Sequence, residues 1–275
     1  MSDEAAVQAH YSADTVVEVV VEALRDAGVD LDKVTPLELA PVDQFHSRGL
    51  DATNELGEIL APKAEERLLD IGCGLGGPAR FFAFTFGCRV DGIDLTPAFC
   101  EAAERLTTMT RLDDQVEIAC ASALDLPFED ATFEAAYSQN VVMNIADKAA
   151  FYAEARRVLK PGGRLALSNL TLGTGGQPTY PVPWAETEAT SFLSTPDETR
   201  AAIEAAGFEI LVFRNTTERL THFYATQRER VRRQGPPKLG PHVFMGERMK
   251  EMQRNVAQNV EEGRVAPFEI LCRKL

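Results

Sequence analysis

Short apolar runs alternate with stretches of helical periodicity from residue 67 onwards. Strands separated by helices of roughly 10–15 residues are typical of βαβ units, so we predict an α/β fold with a mostly parallel sheet. The apolar runs predict strands at 67–71, 89–93, 115–119, 133–138, 163–169, 208–214 and 266–273. The periodic stretches between them predict helices at 77–86, 97–109, 147–159 and 196–206.

The segment before the first strand has a helical pattern. Apolar residues at helical spacing predict a helix at 12–27, which Gly28 ends, and residues 50–60 predict a second amphipathic helix. We therefore divide the chain into an N-terminal helical segment at 1–60 and a core at 61–275.

Two stretches interrupt the alternation of strands and helices. Residues 171–195 are rich in glycine and proline, and residues 215–264 contain two long helical patterns. Each follows a strand whose carboxyl end is expected to face a ligand, so we predict that both are insertions of a substrate cap.

A glycine-rich turn follows the first predicted strand. Gly72, Gly74 and Gly77 fit the GxGxxG spacing, and Asp94 ends the second strand, where its carboxylate can accept hydrogen bonds from ribose hydroxyls. A dinucleotide would place its pyrophosphate at this turn, where the carboxylate of Asp70 fits poorly. S-adenosylmethionine (SAM) has no phosphate and carries a sulfonium and an amino group, so the acid favours SAM. An NAD(P)-dependent oxidoreductase remains the first rival, and a non-catalytic SAM-binding protein the second.

Four segments together resemble class I SAM-dependent methyltransferases. They are the glycine turn, the acid Asp94, the run Asp125-Leu-Pro-Phe-Glu-Asp, and Glu154-Ala-Arg-Arg-Val-Leu-Lys-Pro-Gly-Gly, and the resemblance covers about residues 40–215. It implies a Rossmann-like sheet of seven strands, of which the last is antiparallel. The run at 266–273 fits that last strand.

The resemblance also implies roles for the cofactor-binding residues. Asp70, Gly72 and Gly74 are expected along the methionine part of SAM, Asp94 at the ribose and Leu95 against the adenine. Many relatives place an Asp before an Ala at the adenine amino group, whereas this chain has Ser122 and Ala123. The backbone carbonyl of Gln139 is expected to meet the methionyl amino group.

The segment at 43–49 resembles a bacterial small-molecule branch that includes sarcosine/dimethylglycine N-methyltransferases. In that branch the N-terminal segment closes over SAM, which implies that residues 1–60 form a helical lid over the cofactor. The resemblance makes Gln44 and His46, with Tyr11 close by, candidates for binding the SAM carboxylate; a structural, hydrogen-bonded histidine is the alternative for His46.

The acceptor side lacks an obvious general base. Similar sugar O-methyltransferases carry histidines and an acid where this chain has Met143, Asn144 and Asn169, none of which is a base near neutral pH. These positions also lack the carboxylates of a magnesium site, so we expect no metal. The acceptor is then expected to attack the methyl group with its own lone pair, without first losing a proton to the protein. We predict N-methylation of a small amino-acid-like amine, with S-methylation next and O- or C-methylation of a small metabolite as further alternatives.

A few candidates remain for substrate contacts and for a base. We consider two roles for Tyr180 and Trp184. Their rings either line the pocket of a cationic substrate as an aromatic wall or pack within the insertion. His242 and Met245, together with Asn144 and Asn169, are candidates for lining the same pocket. The base candidates are His46, His242, Tyr11 and Tyr180.

The composition of the chain limits the kinds of partner that we expect it to bind. The net charge of −14 argues against a nucleic-acid partner. We expect no membrane partner, because no apolar run approaches the length of a span, and the acidic start of the chain shows no secretory signal. Five cysteines without metal spacing are expected to be reduced thiols in the cytoplasm. Whether the chain is a monomer or a homodimer stays open.

Overall fold

The computed structural model describes residues 3–5 and 16–275 and contains one sheet of seven strands. The strand order is β3-β2-β1-β4-β5-β7-β6, with parallel pairing from β3 to β5 and antiparallel pairing of β7 with both β5 and β6. This arrangement confirms the Rossmann-like sheet with an antiparallel last strand. The strands are β1 (Arg67–Ile71), β2 (Arg89–Asp94), β3 (Val116–Cys120), β4 (Phe133–Gln139), β5 (Leu159–Leu172), β6 (Phe208–Asn215) and β7 (Val265–Lys274).

Ten helices of four residues or more lie among the described residues. They are α1 (Val16–Ala27), α2 (Pro36–Asp43), α3 (Leu50–Leu60), α4 (Gly77–Phe86), α5 (Pro97–Met109), α6 (Lys148–Val158), α7 (Pro196–Ala205), α8 (Thr217–Gln234), α9 (His242–Met245) and α10 (Met249–Glu261). Short 3₁₀ turns occur at Val142–Asn144 and Glu188–Thr190.

Helix α2 is absent from the sequence prediction, because its two prolines suggest an irregular segment. Pro36 occupies the first turn of the helix, where a missing N–H costs no hydrogen bond. Thr35 and Glu38 form a capping box, in which the Thr35 N–H donates to Glu38 Oε2 at 2.9 Å. A second capping box begins α7, where Glu198 Oε2 accepts from the Thr195 N–H at 2.8 Å.

Successive residues of the strands pack on opposite faces of the sheet. Leu68 belongs to a buried cluster with Phe82 of α4, whereas Leu69 belongs to a different cluster with Phe151 of α6. Helices α3 and α4 cover the first face, and α6 and α7 cover the second. Helices therefore cover both faces of the central strands, which explains why nearly every residue of β1 and β4 is buried.

Two further clusters lie outside these layers. One joins α1, α2 and α5 with α9. The other, which we call the cap cluster, joins residues of the first insertion, such as Trp184, to Leu220 of α8 and Val256 of α10. The cap cluster also contains Leu170 and Val265, which lie where β5 ends and β7 begins, so this cluster packs at the carboxyl edge of the parallel strands. Within the described ranges, no helix has the length and apolarity needed to cross a membrane.

Candidate active site

A cavity of about 230 Å³ opens at the carboxyl edge of the sheet. Its lining contains residues that follow four neighbouring strands: Gly72 after β1, Asp94 at the end of β2, Ser122 after β3 and Gln139 at the end of β4. Strand β1 lies between β2 and β4. The chain therefore adds β2 and β3 on one side of β1, and β4 and β5 on the other side. Such a crevice is where open α/β sheets bind their ligands.

The glycine turn is shaped by close contacts. Gly72 has φ +83°, and a β-carbon there would overlap the side chain of Val141. The N–H of Gly74 donates to Asp94 Oδ2 at 2.9 Å, and the N–H of Thr96 donates to Asp94 Oδ1 at 2.9 Å. Burial raises the pKa of Asp94, and these backbone hydrogen bonds oppose the rise. Each carboxylate oxygen is thus held by the backbone, while lone pairs remain for a ligand's hydroxyl groups.

Asp70 is a buried carboxyl beside the same turn. Its Oδ2 has no hydrogen-bond partner among the residues that the structure describes. Burial raises the pKa of Asp70 to about 8, the Tyr137 hydroxyl and Arg80 lower it, and the charge of Asp94 raises it further. Without a ligand this carboxyl is therefore mostly protonated at neutral pH, and a nearby cation would favour its ionised form.

A network of side chains connects α3 to the cavity. Thr53 Oγ1 lies 2.6 Å from Gln44 Oε1, 3.2 Å from Gln139 Oε1 and 3.0 Å from His46 Nε2. His46 and Gln139 line the cavity, whereas Gln44 lies behind them. The amide nitrogens of Gln44 and Gln139 are buried without a partner in the described part of the chain, so the network keeps unused donors. Burial lowers the pKa of His46 to about 4, and the imidazole is therefore neutral.

An ion pair that the sequence reasoning missed joins helix α2 to the glycine turn. Arg80 of α4 is fully buried; it donates to Asp43 Oδ2 at 2.9 Å and to the carbonyls of Leu75 and Ala103 at 2.5 Å and 3.0 Å. Asp43 itself lines the cavity. Arg80 is the one charged residue of the segment 77–86, and this isolated charge is the sequence signal that points to a buried partner.

The acceptor-side candidates fall into two groups. Asn144 lines the cavity, but its amide nitrogen donates to the carbonyl of Trp184 at 2.7 Å. Asn169 is buried in β5 outside the cavity lining. Trp184 is 3% exposed in the cap cluster, where Tyr180 packs beside it, and its Nε1 donates to Ser191 Oγ at 3.0 Å. The structure thus places both aromatic rings in the packing of the cap, away from the cavity lining.

The second insertion reaches the cavity only through a neighbouring ring. Phe244 of α9 makes edge contacts with Phe45 and Phe99, whose ring centroids lie 5.2 Å and 6.0 Å away and which line the cavity. His242 and Met245 of the same helix do not line it. Tyr11 lies outside the described residues.

The lysine-, arginine-, aspartate- and glutamate-type residues of the cavity lining are all acidic among the described residues. Over the described ranges it contains six acidic residues and neither lysine nor arginine. Two of the acids come from residues 3–5, which the sequence reasoning did not single out. The same part of the chain holds no group of three or more potential metal ligands. The acids are Asp3, Glu4, Asp43, Asp70, Asp94 and Asp147.

Comparisons with known proteins agree with this geometry. A family model described as a methyltransferase domain matches residues 69–167. The O-methyltransferase rstn1 of Aspergillus nomiae is 31% identical over 162 residues, which are 58% of this chain and 72% of that protein. The chain belongs to the class I SAM-dependent methyltransferases. SAM is therefore the cofactor of this methyltransferase, and the dinucleotide alternative falls away.

Other relatives methylate different atoms. The O-methyltransferase resE of Aspergillus sclerotiorum is 32% identical over 58% of this chain, and the match spans 61% of the relative's own length. A sarcosine/dimethylglycine N-methyltransferase of Halorhodospira halochloris is 28% identical over 213 residues, covering 76% of this chain and 75% of the relative. A rice 24-methylenesterol C-methyltransferase also matches, at 38% identity over 39% of the chain. The family membership therefore leaves the acceptor atom open.

Solved structures share the whole fold. Phosphoethanolamine N-methyltransferase 2 of Haemonchus contortus, in complex with SAM, superposes with a TM-score of 0.76 at 20% identity, covering 100% of this chain and 60% of that one. Geranyl diphosphate C-methyltransferase of Streptomyces coelicolor gives a TM-score of 0.73 at 18% identity, covering 100% of this chain and 99% of that one. At these identities the likeness concerns the fold alone.

The residues of the cavity fit SAM. The carboxyl of Asp70 has an oxygen without a partner among the described residues, which suits an ammonium or sulfonium cation. The described lining has no lysine or arginine to neutralise a pyrophosphate. A positively charged cofactor without phosphates is the ligand that this donor and acceptor set accommodates.

Proposed function

We propose that this methyltransferase transfers the methyl group of SAM to the nitrogen of a small amino-acid-like amine. The observation that carries the proposal is the acidic lining of the cavity without lysine or arginine among the described residues. Attack by a neutral amine moves the positive charge from sulfur to nitrogen, so the charge stays inside the acidic cavity. A hydroxyl acceptor would first have to become an anion, which nearby carboxylates disfavour.

In this proposal the chain's own residues hold and align the cofactor, and SAM supplies an already activated methyl group. Asp94 binds the ribose hydroxyls, and Asp70 with the backbone of Gly72 lies along the methionine part. His46 lines the cavity near the expected position of the methionyl carboxylate, and Gln44, which lies behind it, holds the imidazole through a 3.2 Å contact with Nε2. Alignment and exclusion of water then supply most of the rate enhancement, since the reaction is an in-line displacement.

The proposal needs no general base. Of the histidine and tyrosine candidates within the described residues, His46 alone lines the cavity. With a pKa of about 4 its imidazole is a weak base, and its Nε2 lies within hydrogen-bonding distance of Gln44 and Thr53. An acceptor that can attack without first losing a proton, such as a neutral amine, fits such a site better than a hydroxyl does.

O-methylation of a small metabolite is the second candidate. The two Aspergillus O-methyltransferases favour it, because their sequence identity to this chain (32% and 31%) is higher than that of the Halorhodospira halochloris N-methyltransferase (28%). The base would then have to be a carboxylate, and Asp147 beside Asn144 is the candidate on the acceptor side. If the reaction is O-methylation, Asp147→Asn should abolish turnover. If the reaction is N-methylation, the same variant should keep most of its activity.

The histidine variants test the base-free reaction. We expect His46→Gln to keep turnover within about tenfold of the wild type when SAM binding is matched, because glutamine preserves hydrogen bonding but cannot take a proton. His242→Gln is the matched control, since His242 does not line the cavity. Transfer of radiolabelled methyl from SAM measures turnover, and calorimetry measures SAM binding. Turnover lost in His46→Gln with SAM binding intact would contradict the proposal.

A further inference from the structure

The order of the strands places the nucleobase end of the cavity. Asp94 ends β2 at the expected ribose position, and β3 is the next strand towards the edge of the sheet. The loop after β3 contributes residues 121–124 to the lining, and Leu95 and Phe99 contribute from the other side. The adenine of a bound SAM would thus lie among mostly apolar side chains.

Two polar side chains meet at this end of the cavity. Ser122 Oγ donates to Glu4 Oε1 at 2.5 Å, and it accepts from the N–H of Leu124 at 3.0 Å. The single hydroxyl proton of Ser122 is therefore committed to Glu4. An ionised carboxylate has about four lone-pair sites, so Glu4 keeps acceptor capacity after this contact.

The adenine ring presents one exocyclic amino group, which is a hydrogen-bond donor. Leu95, Phe99 and the alanines of the 121–124 loop offer no side-chain acceptor for it. Both Asp3 and Glu4 line the cavity, but the hydrogen bond with Ser122 orients Glu4 towards the loop after β3.

We propose that Glu4 accepts a hydrogen bond from the exocyclic amino group of the adenine, with Ser122 orienting its carboxylate. The first residues of the chain are then part of the cofactor site and discriminate adenine from other purines. This inference rests on the proposed function only in that SAM is the cofactor; it is independent of the methyl acceptor.

A pair of ligands that differ at this amino group tests the proposal. S-adenosylhomocysteine carries the amine, and S-inosylhomocysteine carries a carbonyl oxygen in its place. We expect the wild type to prefer the adenine ligand by about 10- to 30-fold in Kd, because a carboxylate accepts from the amine and repels the carbonyl. In Glu4→Gln the preference should fall to about threefold or less, since an amide can accept from one ligand and donate to the other.

Two further variants separate this role from a general effect of the N-terminus. Asp3→Asn removes the neighbouring carboxylate of the same cavity and should keep the full preference. Ser122→Asp in a Glu4→Ala background should restore at least about fivefold of the preference, because it returns a carboxylate to the same place.

The outcomes are distinguishable by calorimetry on the full chain. A Glu4→Gln variant that keeps the wild-type preference overturns the proposal, as does a wild type that binds both ligands equally. A wild type that binds neither ligand would contradict the cofactor assignment itself, and this proposal with it.

Discussion

At the scale of single residues, Thr53 is the centre of the polar network beside the cavity. Its hydroxyl is within 3.2 Å of Gln44, His46 and Gln139, although it has only one proton to donate. The three side chains consequently depend on Thr53 for their relative orientation.

Replacing Thr53 with valine keeps the shape of the side chain and removes the hydroxyl. We expect Thr53→Val to weaken SAM binding about five- to tenfold and to lower the free energy of unfolding by about 1–2 kcal/mol, because it removes the one hydroxyl proton that the buried oxygens of Gln44 and Gln139 share. Calorimetry and urea unfolding measure the two effects. Thr53→Ser is the control that keeps the hydroxyl; equal SAM affinity in all three proteins would contradict this role.

Asp70 should couple cofactor binding to pH. In the cofactor-free protein its pKa is raised from 3.8 to about 8, so the folded state holds a proton that the unfolded state releases between these two values. The contribution of Asp70 to stability therefore falls as pH rises from about 4 to about 8. The positive charge of SAM lowers this pKa again, so binding at pH 7 should release close to one proton, and SAM affinity should rise with pH up to about 8.

Calorimetry of SAM binding in buffers with different ionisation enthalpies counts the released protons. We expect the count for the wild type to exceed that of Asp70→Asn by about one half to one proton at pH 7. Identical counts in the two proteins would show that Asp70 is already ionised before SAM binds.

At the scale of elements, the buried ion pair of Arg80 and Asp43 connects α4 to the end of α2. Breaking a buried pair leaves an uncompensated charge, which typically costs about 3–5 kcal/mol. We expect Arg80→Met to lower the free energy of unfolding by that amount, and Arg80→Met combined with Asp43→Asn to recover part of the loss, because no isolated charge remains buried. Urea unfolding measures both. A double variant as unstable as the sum of its single variants would contradict the pairing.

The strands and core helices could be predicted from sequence because their signals are local. An alternation of apolar runs and helical periods, together with the glycine turn, is enough to define β1 to β7 and α4 to α7. Helix α2 was missed because Pro36 and Pro41 suggest a break, although a proline in the first turn is compatible with a helix.

At the scale of the whole molecule, the contacts that sequence reasoning missed are those between distant segments. Arg80 meets Asp43, and Glu4 meets Ser122, across 37 and 118 positions of the chain. Trp184 was a candidate for the substrate pocket because it is the single tryptophan of a glycine- and proline-rich insertion, but its ring fills the cap cluster with residues of α8 and α10. Such placements depend on how insertions fold back over the sheet, which periodicity does not encode.

The transfer of a labelled methyl group from SAM tests the central claim of amine methylation most directly. SAM with a deuterated methyl group would be incubated with the full chain and with sets of small amines, thiols and alcohols of matched shape, and the products would be identified by mass spectrometry. We expect the label on the nitrogen of at least one amine, with its alcohol counterpart unmodified. Label found on oxygen alone, or SAM bound without transfer to any acceptor, would contradict the account.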